Sequence, residues 1–102
     1  MGVVSTMKTI LVSEIYDVTQ ISKSNDTPWK LMKQLMEKED QDVMFDFDGI
    51  ELKEPWNNLE FKKLIADERV HIKVYGSEDV ANSIKILCMS LKTDTERIIN
   101  AE

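Results

Sequence analysis

Four aspartates crowd one short stretch of the chain, Asp40, Asp42, Asp46 and Asp48, and they are the best candidates for chemistry that needs grouped negative charge. Asp46 and Asp48 stand two apart, a spacing that puts both side chains on one face of a strand. With Gly49 they supply part of the calcium-loop pattern D-x-D-x-D-G, but the distal bidentate glutamate and the loop itself are missing. The stretch therefore reads as the solvated face and end of a strand, and neither a metal nor another cofactor is expected.

A nucleophilic mechanism lacks its parts as well. The only histidine, His71, falls on the polar face of a strand-like segment, and no serine or cysteine stands beside it in the sequence. The single cysteine, Cys88, excludes an internal disulfide and any multi-cysteine metal site. It sits in the apolar run Ile86-Leu87-Cys88-Met89 with no basic residue or glycine turn adjoining it, so an inert, buried thiol is expected. Three glycines in all leave no phosphate-cradling loop. The chain is expected not to be an enzyme.

Charge narrows the partners. A net charge of −6 repels phosphate backbones, and no cluster of lysine and arginine with interleaved aromatics offsets it, so direct nucleic-acid binding is not expected. No apolar run approaches the roughly 18 residues a membrane span needs. Without a disulfide framework or a secretory signal the chain fits a reducing compartment, and a cytoplasmic location is expected.

The elements that must position these residues follow from periodicity. The 102 residues suit one domain, and the segment 8–12, rich in β-branched and aliphatic residues, reads as a first strand. Residues 13–26 are ambiguous, with a loop-like polar run at Ser22, Lys23, Ser24, Asn25 and Asp26. Thr27 is placed to cap a helix and Pro28 to occupy its first position, after which Trp29, Met32, Leu35 and Met36 form an apolar stripe ending near Glu39.

Val43, Phe45 and Phe47 alternate with Asp42, Met44 and Asp46, which predicts a strand with one strongly apolar face. Asp48-Gly49 is compatible with a hairpin turn, or with a bulge or kink leading on to Ile50 and Leu52. Glu54-Pro55-Trp56-Asn57 signals another helix start, with Leu59, Phe61, Leu64 and Ile65 tracing its apolar positions. Val70, Ile72 and Val74 alternate cleanly, Gly76 ends that strand, and Ser77 is placed to cap a helix whose stripe is Val80, Ile84, Leu87 and Leu91, flanked by Ala81 and Cys88. Thr93 and Glu96 have capping-box spacing, which allows a short last helix. Strand and helix alternate three times, so the expected class is α/β: a small, open, mostly parallel sheet covered by helices, with its core at about residues 7–91.

The segment Asp46-Phe47-Asp48-Gly49-Ile50 resembles the signature strand of STAS domains, named for sulfate transporters and anti-sigma-factor antagonists. It is closer still to a bacterial group of stand-alone STAS-like domains of unassigned function. Asp46, Phe47, Gly49 and Ile50 fit the pattern of an acidic, apolar, glycine-bearing strand end that leads into a helix, and the layout matches from Met7 to Leu91. What the resemblance implies is a regulatory module that binds a protein partner, such as a kinase-like ATPase or another signalling protein.

In anti-sigma-factor antagonists the loop after this strand carries a serine that the partner kinase phosphorylates. Here that place holds Lys53, Glu54, Pro55, Trp56 and Asn57, and no Ser or Thr occurs between Val43 and Tyr75. The phosphorylation does not carry over, and Glu54 reads there as a plain acidic residue at a helix start, with a permanent charge in place of the phosphate as the alternative. The partner-binding residues implied are Glu54, Trp56, Asn57 and Asn58. Trp56 itself is read either as a core residue on the helix's inner face or as an interface anchor. An alternative function from a different class is a small acidic inhibitor or immunity-type protein that blocks a basic surface on an enzyme or a nucleic-acid-binding protein. The oligomeric state is left open.

Overall fold

A computed structural model describes residues 6–76 and 78–101; Ser77, expected as a helix cap, lies outside the described residues. The three alternating segments become β1 (Met7–Leu11), β3 (Asp42–Asp46) and β5 (Val70–Tyr75), and a further strand, β6 (Ile98–Ala101), joins them. They lie in the order β1-β3-β5-β6 and every pair is parallel. Leu11, Phe45 and Ile72 all stand in this sheet, as the alternation requires.

The strand order runs in one direction along the chain, so successive right-handed crossovers return on the same side. The helices α2 (Thr27–Glu37), α3 (Leu59–Ile65) and α4 (Glu78–Ser90) accordingly pack on one face, against β3, β5 and β6 in turn. Val43, Phe45, Val70, Ile72, Val74 and Ile98 point into that layer and are buried. Trp29 fills its centre, edge-on to Phe61 at 4.8 Å and tilted against Phe47 at 6.0 Å. Apolar rings so arranged add roughly 0.5 to 1.5 kcal/mol beyond the area they bury. The opposite face, with Met44, His71, Lys73 and Tyr75, carries no helix among the described residues and is half-exposed.

Several expectations are corrected. The first strand ends at Leu11, and Val12, expected in it, opens a single helical turn, α1 (Val12–Ile15), followed by a short strand, β2 (Gln20–Ser22). β2 pairs in parallel with β4 (Glu51–Lys53), setting Ile21 beside Leu52 in a second sheet. Of the two readings left open for Asp48-Gly49, no hairpin forms between β3 and β4, and the chain kinks and runs on through Ile50 to Leu52. The kink is a tight turn closed by Ile50 N–H donating to the Phe47 carbonyl at 3.0 Å, and Gly49 supplies the φ of +79° that such a turn demands. Asp26, not Thr27, precedes the first helical residue of α2.

The short last helix that Thr93 and Glu96 allow is reduced to a single turn. Asp94 accepts a hydrogen bond from Glu96 N–H at 2.9 Å and supports one 3₁₀ turn, Thr95–Arg97, before the β-branched pair Ile98 and Ile99 enters the sheet. The fold therefore runs to Ala101, beyond the core limit expected near Leu91. On α4 the buried residues are Ala81, Ile84 and Cys88, while Val80 and Leu87 are half-buried and Leu91 is exposed.

Arg97 explains why β6 docks there. Its guanidinium is buried, 3% exposed, without a carboxylate partner among the described residues. It donates instead to the carbonyls of Ile65, Asp67, Val70 and Asp94 and to the Thr93 hydroxyl, all at 2.8–3.0 Å. Carbonyls at the C-terminal end of α3 carry partial negative charge, so they compensate a buried cation in place of an anion.

Candidate functional site

The four residues expected at a partner surface follow β4 directly, and the structure divides them. A 3₁₀ turn spans Pro55–Asn57, and α3 begins only at Leu59, with Asn58 as its N-cap. The expected helix start at Glu54 is thus one turn early, because Pro55 and Trp56 close a separate turn through Asn57 N–H to Glu54 O and Asn58 N–H to Pro55 O, each 3.0 Å.

Asn58 leaves the expected surface. It is only 4% exposed, and every polar atom of its side chain is engaged. Its Oδ1 accepts from Phe61 N–H at 3.0 Å, satisfying one orphan donor of α3. Its Nδ2 donates to Asp26 Oδ1 at 2.7 Å, to Lys23 O at 2.8 Å and to Asn25 O at 3.3 Å. A short amide that both accepts and donates is what this junction needs, since it must serve a helix start and a loop at once. Asn58 positions the turn and does not present itself to a partner.

Glu54 does face solvent. Its backbone is left-handed, φ +52° and ψ +46°, immediately before a proline. For a non-glycine residue that conformation costs on the order of 1 to 3 kcal/mol. The Lys23–Glu54 ion pair at 3.3 Å is exposed on both sides and offsets little of it. Asn57 is exposed, and Trp56 is half-buried with part of its ring against the core. Leu59, expected on the inner face of this helix, is 64% exposed instead and adds apolar surface one residue beyond the cap. The turn packs against α3 and α4.

Next to it, at the carboxyl ends of the parallel strands, a cleft of about 560 Å³ is lined by Thr19, Gly49, Glu51, Val74, Tyr75 and Val80 among others. Ligands of open α/β sheets bind at such strand ends. Glu54, Trp56, Asn57 and Asn58 do not line it. Tyr75 donates its hydroxyl to Asp46 Oδ2 at 3.0 Å, and Lys73 Nζ stands 5.5 Å from the Tyr75 ring centroid. Partial burial first, then the Asp46 carboxylate, pushes the Tyr75 phenol above its ordinary value of 10.0, against a smaller pull from Lys73. Sequence reasoning did not single out Tyr75; its register opposite the strand end that holds Asp46 is visible only once β3 and β5 are paired.

The remaining candidates separate. Asp42 meets His71, Oδ2 to Nε2 at 3.0 Å, across neighbouring strands on the half-exposed sheet face. Asp46 accepts from Tyr75 and, through Oδ1, from Asp48 N–H at 3.0 Å, so its carboxylate is committed to the turn. Among the described residues no three His, Cys, Asp or Glu side chains converge as a metal ion would require. Cys88 is fully buried, and the Arg97 guanidinium lies 3.8 Å from its sulfur, a basic neighbour that the local sequence does not reveal. No helix of the described residues is long and apolar enough to cross a membrane. No family model, curated protein or solved structure matches the chain.

Proposed function

We propose that the chain is a non-catalytic, STAS-like regulatory module that binds a protein partner in the cytoplasm through the turn formed by Glu54, Trp56 and Asn57, with the neighbouring Leu59. The observation that carries this reading is the left-handed backbone of Glu54 before Pro55. A glycine or asparagine would relieve it at no loss to the core, and strain of this kind persists where the geometry it fixes is used. The turn also combines what an interface centre needs: an aromatic with exposed area, a charge, and a rigid base supplied by the buried Asn58 amide.

The partner class, a kinase-like ATPase or another signalling protein, rests on the STAS-like layout alone. Its test is capture of partners from the source cells by wild type and by Glu54→Gly. Loss of a specific partner with an unchanged or raised melting temperature supports the reading. Equal capture by both proteins refutes it, and capture that vanishes for wild type with modest salt points to an acidic inhibitor instead.

A further inference from the structure

From the register of β1 we infer that the outer edge of this strand pairs antiparallel with the same strand of a second copy, about a two-fold axis at Thr9. β1 lies at the end of the sheet and bonds only to β3 among the described residues. The hydrogen-bond parity of the sheet is fixed by Val43 N–H donating to Arg69 O and Phe47 N–H to Lys73 O, which turn the odd residues of β3 toward β5. Asp42, Met44 and Asp46 therefore face β1. Since Met44 is in register with Thr9, it bonds Lys8 and Ile10, and the backbone groups of Met7, Thr9 and Leu11 point away from the sheet.

Of the features that natural sheets use to block further pairing, the edge carries a short length and a single lysine. It contains no proline, and its one charge, Lys8, is directed to Glu39 Oε2 at 3.4 Å. Met7 and Leu11 are large and apolar, and 42% and 38% exposed.

The occupant follows from self-complementarity. Antiparallel pairing centred on Thr9 sets Met7 against Leu11 of the second copy, Lys8 against Ile10 and Thr9 against Thr9, so no like charges stand opposite each other. Thr9 exchanges both of its backbone bonds with its equivalent, and each Leu11 N–H reaches a Met7 carbonyl. The Leu11 carbonyl itself is engaged at the start of α1. That gives about four backbone hydrogen bonds in place of solvated edge groups.

Beside the strand runs a hollow of about 330 Å³ lined by Lys8, Ile10, Leu11, Glu14, Ile15 and Leu35. In this pairing Ile10 of the second copy stands opposite Lys8, and its Lys8 opposite Ile10, on the side of the sheet where the hollow lies. The result is a continuous sheet of eight strands with the helices of both copies on one side. The edge shares no residue with Glu54, Trp56 or Asn57, so pairing and partner capture fail separately.

The test is sedimentation equilibrium of wild type up to about 200 µM, with oxidative crosslinking of Thr9→Cys; five-residue contacts are small, so a weak dimer is expected. Opposed residues of a hydrogen-bonded antiparallel pair have Cα atoms about 5.5 Å apart, within disulfide reach. Dimer mass, with Thr9→Cys crosslinking at least tenfold faster than Ile99→Cys on the opposite edge, is the expected result; wild type, whose Cys88 is buried, stays uncrosslinked. A wild type that remains monomeric, leaving the edge to an extended segment of another protein or to none, overturns the inference, and so does equal crosslinking of the two variants.

Discussion

The Asn58 amide donates to the Asp26 carboxylate at 2.7 Å, and this bond joins the start of α3 to the start of α2 across 32 residues of sequence. Both helices begin at the same end of the sheet, and their caps are thereby one structure. The exposed turn of Glu54, Trp56 and Asn57 is bracketed between that junction and β4.

Replacing Asn58 separates its two roles. Asn58→Ala removes the cap and the donors together and is expected to cost about 2 to 3 kcal/mol in urea unfolding. Asn58→Asp keeps the acceptor for Phe61 N–H but opposes a second carboxylate to Asp26. Its loss of stability should therefore shrink as the pH falls through the carboxylate range, whereas that of Asn58→Ala should not.

Arg97 makes a sharper demand on geometry. Its fork reaches carbonyls on the end of α3, on β5 and on its own turn, and lysine has neither the shape nor the number of donors to replace it. Arg97→Lys is expected to destabilise by about 2 kcal/mol or more, and Arg97→Met by about 3, both read from denaturant midpoints at unchanged slope. A surface arginine would show changes within about 0.5 kcal/mol.

These two residues mark the limit of what the sequence discloses. The alternation of Val70, Ile72 and Val74 and the spacing of Trp29, Met32 and Met36 place β5 and α2, because burial on one face imposes a period that survives in the residue order. β2 and β6 are too short to show a period, and Ile21, buried in a polar run, looks like a loop residue until Leu52 is set beside it. Arg97 reads as one more solvated charge, since its partners are main-chain carbonyls that no side-chain pattern encodes. At the candidate site, Glu54, Trp56 and Asn57 were named from the resemblance, and Pro55 marks in the sequence only that a turn begins there. The burial of Asn58 and the exposure of Leu59 were not legible, because both turn on where the helix begins by a few residues.

Alkaline titration should single out Tyr75. With its proton held more tightly in the folded than in the unfolded chain, Tyr75 contributes stability that is complete below pH about 10 and is lost as the pH rises through its raised folded value. Absorbance at 295 nm is expected to show a late-titrating phenol that Tyr75→Phe removes. The same substitution should lessen the fall in melting temperature above that pH.

The two tryptophans should differ in the same concrete way. Trp29 is fully buried and Trp56 only half, so iodide is expected to quench one fluorophore and spare the other. In Trp56→Phe the remaining emission should lie to the blue and resist quenching. Equal quenching of both residues would contradict the packing of the core.

Trp56→Ala, assayed for melting temperature and partner capture on the same preparation, tests the central claim most directly. Part of the ring already faces solvent, so truncation is expected to cost about 1 to 2 kcal/mol, less than the roughly 3 to 5 of a core aromatic, and the melt should stay cooperative and fall by only several degrees. Loss of an interface anchor is expected to weaken binding by about 2 kcal/mol or more, a change near thirtyfold in affinity. A folded variant that no longer captures the partner is the predicted result. A folded variant that captures it as wild type does, or a variant that unfolds outright, would contradict the assignment of this turn as the binding surface.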